Sequence, residues 1–409
     1  MPFSAEDVMG FLMPWMRKKT DKSEAEQVFS KALPSLVLTT FVFFLTYLAR
    51  AIFGPLLPDL EREFILSHAA STRFLFYISV GYALTIFLSC LVSDKARPRR
   101  LVALSSAACG LVLLAIAATT DRVLLPFLFL ALGMSAGAYF NAGFSSIRSL
   151  APPSQWGKII AVHEVGPNIG LLLAPLLAGL AAGFCGWRVG VACIGAAALG
   201  AAVIFHCFAK GGDSPEKATS LKDFKEALRS PRLWFFVWGV GMSISVHFGM
   251  YSVMTLHMTE ERLLSVESSA LLLSTSRLAS PFAALIGGRL ISSLGTRFTL
   301  TLAFSVMALS IALTVMPWLA PFVVGLYIQP AAAAIAIASM FTFLAHSFSD
   351  KTPLHMSIGM PLGGFIGLGL MPMLLGLWGD CAGFSAGFAM VGFLILLTLP
   401  LIRRLPPRR

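Results

Sequence analysis

His163-Glu164-Val165-Gly166-Pro167-Asn168-Ile169-Gly170 opens an apolar run that continues through Leu171-Leu172-Leu173-Ala174-Pro175 to Gly179. The run is long enough to cross a bilayer as a helix. Glu164 is the one carboxylate that falls deep inside such a run, and Asn168 is one of two Asn in the chain. An ionisable side chain at membrane depth is expensive to keep and points to function.

Working outward, the same kind of run recurs from end to end. The chain is 57% hydrophobic and 12% charged, which excludes an ordinary soluble domain. Twelve runs are of spanning length: 33–58, 71–93, 101–119, 123–149, 157–181, 187–209, 233–257, 267–292, 298–317, 320–347, 354–377 and 382–403. They are continuous rather than alternating, so helices and not barrel strands satisfy the backbone. The expected fold is an all-α membrane protein.

The net charge of +11 does not indicate nucleic acid. With the N-terminus in the cytoplasm, 24 Lys and Arg fall in cytoplasmic segments, five in outer loops and two, Arg50 and Arg277, inside spans. That bias predicts both termini inside. The six Cys are scattered and show no metal-ligand spacing. Residues 1–32 read as a cytoplasmic segment with a short helix on the membrane surface rather than a cleaved signal. No Walker sequence, metal cluster or nucleophile elbow occurs, so no enzyme and no cofactor is expected.

The two halves repeat. A shift of 198 residues places Leu66-Ser67 on Leu264-Ser265 and brings the acidic loop Glu61/Glu63 beside Glu260/Glu261. A shift of 197 places Ile169-Gly170 on Ile366-Gly367, Pro175 on Pro372 and Gly179 on Gly376. The expected organisation is a six-helix bundle over 33–208, a polar linker over 209–232, a second bundle over 233–403 and a basic tail over 404–409. Parallel repeats place a substrate path between the copies.

Cys90-Leu91-Val92-Ser93-Asp94-Lys95-Ala96-Arg97-Pro98-Arg99 resembles the loop motif between spans two and three of the major facilitator superfamily of transporters. Its second-half copy starts at Gly288-Arg289, and Gly186-Trp187-Arg188 is also similar to the family. The resemblance covers 30–403 and implies a twelve-helix transporter working by rocking-bundle alternating access. It implies a cytoplasmic gate of Asp94, Lys95, Arg97, Arg99 and Arg100, with Arg148 as the partner of Asp94. The plain alternative for this loop is a topology-setting basic segment.

Gly166-Pro167 and Gly170 resemble the fifth-span signature of proton-coupled antiporters. Gly and Pro by themselves specify only a kinked, closely packed helix. Glu164 and Asn168 share a helix face, and Asn141 on the neighbouring fourth span falls at similar height, so a polar cluster of the three is expected. Glu164 is the candidate proton carrier, with His163 beside it. The alternatives are a structural ion pair or a hydrogen bond to His163. The superfamily's fourth-span Arg is missing, because Phe129 stands four residues before Gly133.

Tyr47-Leu48-Ala49-Arg50 looks like an element of the family's organic-anion transporters, with Ala49 replacing an Asp. Guanidinium groups hold carboxylate or phosphate through paired hydrogen bonds. Arg50 and Arg277 are therefore the expected anion ligands, with an Arg277–Glu164 pair as the alternative. His247 lies near the repeat equivalent of Arg50. Tyr77, Tyr82, Tyr139, Tyr251, Tyr327 and Gln329 fall on spans that line the family's cavity, where each serves binding or helix packing. His206, His257, His346 and His355 lie near span ends and are expected to be solvated. The reading is a secondary transporter in the cell membrane, a monomer, carrying a small organic anion with protons. The alternative is a drug or metabolite efflux antiporter. A receptor on this scaffold lacks the appended signalling domain it would need.

Overall fold

The computed structural model describes residues 29–91, 96–152, 155–214, 220–348 and 351–403. Among them the chain is helical, with no strand. Twelve helices are long and apolar enough to span a membrane. Spans 1 to 6 are Phe29–Ala51, His68–Ser89, Pro98–Ala118, Leu125–Arg148, Trp156–Phe184 and Trp187–Phe208. Spans 7 to 12 are Pro231–Glu261, Val266–Leu294, Thr296–Thr314, Leu319–Phe348, Leu354–Ala382 and Phe384–Arg403. The surface-helix expectation for the N-terminal segment lies outside the described residues.

Span 1 stops at Ala51, short of the expected 58. Gly54-Pro55 interrupts it, since proline offers no N–H to a helix, and a separate short helix, Leu57–Phe64, follows. Gly54 is needed here for contact: a Cβ on it would lie 2.8 Å from Cα of Ser252. Ser252 is the counterpart of Gly54 at the shift of 198, so the two halves meet on their pseudo-twofold axis.

The symmetry extends to the packing. Span 2 lies on span 4 and span 3 on span 6, as span 8 lies on span 10 and span 9 on span 12. Between the halves, span 2 packs on span 11 and span 5 on span 8, contacts that the repeat exchanges for one another. Ile65 and Leu263, also 198 apart, are the two non-glycine residues with positive φ (52° and 54°) among the described residues.

A matching clasp precedes spans 2 and 8. Glu63 accepts from the Trp187 indole at 2.6 Å and from the Arg188 guanidinium at the start of span 6. Its counterpart Glu261 accepts from the backbone N–H groups of Phe384 and Ser385 at the start of span 12. Orphan N–H groups at a helix start favour such a carboxylate. Gly186 and Gly383, at the turns into spans 6 and 12, both have φ above +75° (80° and 87°), a conformation glycine adopts at little cost.

Candidate functional site

Span 5 is not one continuous helix. It runs Trp156–His163, breaks at Glu164, and resumes as Val165–Phe184. Pro167 cannot donate to the His163 carbonyl four residues before it, so the helix loosens there. Gly166 lets this joint sit against span 1: a Cβ would come within 2.7 Å of the Thr40 carbonyl oxygen. The Gly-Pro pair thus places a carboxylate at a helix joint facing the other spans.

The expected polar cluster is corrected by the side chains. Asn141 directs its amide at span 2, donating to Ser89 Oγ at 2.7 Å and the Ile86 carbonyl at 3.3 Å. Asn168 is exposed and bonds back to the Glu164 carbonyl at 2.7 Å. Its amide is taken up by the backbone rather than by the Glu164 carboxylate.

His163 is buried and turned away from Glu164, as successive helical positions must be. Its Nε2 lies 2.8 Å from the Tyr139 hydroxyl. That hydroxyl donates to the Thr39 carbonyl at 2.9 Å, so Nε2 carries the proton. Nδ1 has no partner. The ring stacks on Phe43 at 4.3 Å. His163 and Tyr139 thus tie spans 1, 4 and 5 together, and the alternative His163–Glu164 hydrogen bond is not formed.

The two cations inside spans stack on aromatic rings. Arg50 sits over the Tyr82 ring at 4.1 Å and the Tyr47 ring at 5.1 Å. Arg277 is 4% exposed, stacks over Tyr251 at 4.2 Å and donates to the His247 carbonyl at 2.6 Å. Its Nε is buried without a partner. Among the described residues no carboxylate lies within 4.0 Å of either guanidinium, so the alternative Arg277–Glu164 pair is not formed. Tyr47 nonetheless lies within electrostatic reach of Arg50, Glu164 and Arg277 together. A cavity of about 50 Å³ lies beside Arg50, lined in part by Tyr47, Arg50, Ser79, Phe248, Ser252 and Tyr251, the ring on which Arg277 stacks. That is room for a few waters, so a larger solute requires the halves to part.

One contact links this cavity to the half interface. Pro175 has no N–H for the Leu171 carbonyl, which is left orphaned inside span 5. The Tyr251 hydroxyl of span 7 donates to it at 2.7 Å. The ring under Arg277 is therefore also the donor that closes span 5 against span 7. Helical irregularity concentrates nearby, with a π turn at Ser245–Gly249 carrying His247 and a 3₁₀ turn at Arg277–Ala279. Such turns are frequent at functional sites.

Other expected residues are dispersed. Tyr327 bonds Thr275 at 2.6 Å. Gln329 donates to the Val246 carbonyl at 3.3 Å. Asp94 and Lys95 lie outside the described residues. Arg99 pairs with Asp213 at 3.7 Å and donates to the His206 carbonyl, tying the loop to the linker. Arg97 and Arg100 are exposed, and Arg148 lies 5.9 Å from the Trp156 ring. The solvation expected for four His fails for two. His257 is buried against Glu261 at 3.1 Å, and His355 is buried on the Phe348 ring at 3.5 Å. Side-chain reach inward, which position along a span does not reveal, decides both.

Sequence reasoning passed over Glu61, His68 and Glu260, which converge on the face opposite the termini. The signal was present: two acidic loops at equivalent repeat positions beside the start of span 2.

Solved structures share this architecture. A bacterial homolog of the human lysosomal transporter Spinster, in an inward-facing and occupied conformation, aligns with TM-score 0.77 at 16% identity, covering 90% of this chain and 95% of its own. The unoccupied form aligns with TM-score 0.73 at 17% identity, covering 91% and 95%. A mutant of the nucleoside transporter NupG aligns with TM-score 0.72 at 13% identity, covering 90% and 99%. At these identities the likeness concerns the fold. By sequence, none of the curated proteins matches the chain. The family model described as Major Facilitator Superfamily matches residues 39–310, more than half of the chain. With twelve spans in two repeated halves, the chain belongs to the major facilitator superfamily and is a membrane transporter of small solutes, not an enzyme.

Proposed function

We propose that the protein is a secondary active transporter of a small organic anion, coupled to protons. The observation that carries this is a pair of guanidinium groups without a carboxylate among the described residues: Arg50 lines the central cavity, and Arg277 stacks on Tyr251 of its wall. An unpaired cation in an apolar interior is costly. Stacking on Tyr82 and Tyr251 offsets only part of that cost. A carboxylate or phosphate entering the cavity supplies the missing charge and parallel acceptors for a guanidinium. Glu164, half-buried at the span 5 joint, is the coupling group: it exchanges its proton as the halves rock and water access alternates. The basic bias of the terminal face supports cytoplasmic termini, and with them a state closed on the outer side.

The test is thermal-shift binding on purified protein with small carboxylates, phosphate, sulfonates and lipophilic cations. Stabilisation by an anion, lost in Arg277→Gln, is expected. Stabilisation by lipophilic cations alone overturns the anion assignment. That result favours proton-coupled efflux, the reading to which Gly166-Pro167 and Gly170 lend support.

A further inference from the structure

On the face opposite the termini, His68 is held from both sides. Its Nδ1 lies 3.0 Å from Glu61 Oε2. Its Nε2 lies 2.9 Å from Glu260 Oε2. Glu61 belongs to the short helix Leu57–Phe64 of the first half. Glu260 belongs to the end of span 7 in the second half. His68 itself is the first residue of span 2, so the imidazole bridges the two halves.

A neutral imidazole has one N–H and one bare nitrogen, and only the imidazolium donates from both. The two contacts can therefore coexist as hydrogen bonds only with a proton on each nitrogen. The surroundings are acidic. Asp380 of span 11 accepts from the backbone N–H groups of His68 and Ala69 at 2.9 and 3.0 Å. The Phe384 ring of span 12 lies 4.9 Å from the imidazole. Nearby cations are engaged elsewhere: Arg62 with Asp59, and Arg262 with the Thr314 carbonyl. Glu261 is turned to span 12 and to His257. Ser71 donates to the second oxygen of Glu61 and fixes its orientation. Glu61 and Glu260 thus converge on one imidazole, while Asp380 holds the backbone that carries it.

A divalent metal fits this geometry poorly. The carboxylates sit on opposite ring nitrogens, which point apart, whereas an ion binds one of them. The ligand that satisfies both contacts is a proton.

We propose that Glu61, His68 and Glu260 form a proton-binding latch that joins the halves on the face opposite the termini and releases them when His68 gives up its proton to water. With His68 charged, two charge-assisted hydrogen bonds span the interface. With His68 neutral, one carboxylate loses its donor, and Glu61 and Glu260 are left close together across the interface. The face opens more readily as pH rises. This inference takes from the transport reading only that the halves part on this face. It is independent of what is carried and of Glu164.

Ile65 and Leu263 are exposed, one on each half, beside the latch. Spin labels on cysteines placed there, with the native cysteines replaced, report the separation by pulsed electron resonance in lipid nanodiscs without substrate. At about pH 5.5 and about pH 8.5, either side of the ordinary histidine range, the closed-to-open ratio is expected to fall roughly tenfold as pH rises, the worth of one charged hydrogen bond. Glu260→Gln, at a half-exposed position, and His68→Gln are each expected to abolish this step. Identical distances at both pH values overturn the latch. So does a pH step that survives both substitutions, or closure at the higher pH that appears only when zinc is added. Loss of anion binding leaves all of these readings unchanged.

Discussion

Spans 5 and 11 occupy equivalent places in the two halves, and each is loosened by proline. Span 5 carries Pro167 and Pro175, and span 11 carries Pro361 and Pro372. In span 11 the irregular turn is Phe365–Leu370. There Gly367 packs against Ile244 and Ser245 of span 7. Nothing ionisable lies in that turn. In span 5 the break holds Glu164. The Leu171 carbonyl freed by Pro175 is taken by Tyr251, whose counterpart in the first half is Phe53, a ring with no hydroxyl. Both helices need a yielding backbone, so the prolines and glycines repeat. Only one of them carries the acid and the hydroxyl link, and the chemistry is therefore confined to one side of a symmetric scaffold.

The comparison breaks most visibly at the cations. Arg277→Met is expected to weaken anion binding roughly 100-fold, the scale of removing one partner of a buried charge pair. The same change is expected to raise the melting temperature of the ligand-free protein, because an unpartnered buried charge is gone. Titration and thermal scans on one preparation check both signs. A fall in both measurements marks Arg277 as structural.

Glu164→Gln is the next largest. Accumulation driven by a pH gradient in proteoliposomes is expected to collapse toward equilibration, while exchange of anion for anion continues. The span 11 counterpart, Pro361→Ala, is expected to leave the pH dependence intact. Unchanged uphill accumulation in Glu164→Gln removes the proton role.

Tyr251→Phe tests the hydroxyl link. It leaves the Leu171 carbonyl buried without a donor, at a cost of about 1–3 kcal/mol. Pro175→Ala restores an N–H to that carbonyl, so the double variant is expected to recover part of the loss. A double-mutant cycle on chemical stability measures the coupling. Additive losses sever the proposed connection between Arg277 and the half interface.

The smallest effect is a symmetry control. Glu63→Ala and Glu261→Ala each remove a carboxylate from a helix start and are expected to cost about 1 kcal/mol apiece. Similar melting shifts support equivalent clasps. A much larger cost for Glu261 marks His257, which shares that carboxylate, as part of its work.

The twelve spans, the repeat and the interest of Arg50, Arg277 and Glu164 were legible in the residues. Apolar length sets a spanning helix, the shift of 198 sets the pairing of the halves, and a charge inside an apolar run is conspicuous in one dimension. The break in span 5 was half legible: Pro167 gave the kink, but not that the kink falls on Glu164. The end of span 1 was not legible, because Gly54-Pro55 lies inside a run that is apolar throughout.

What only the tertiary structure decided is which polar atoms meet. Asn141 and Asn168 have the right heights for a cluster with Glu164, yet their amides find Ser89 and a backbone carbonyl closer at hand. Tyr251 finds a carbonyl 80 positions away, orphaned by a proline in the other half. His68 finds Glu260 across the interface. Hydropathy and period depend on neighbours along the chain, so the sequence by itself determined the spans and their repeat. Hydrogen bonds depend on a few tenths of an ångström between atoms far apart in that chain, so the partners of each buried polar group were settled only when the two halves closed on each other.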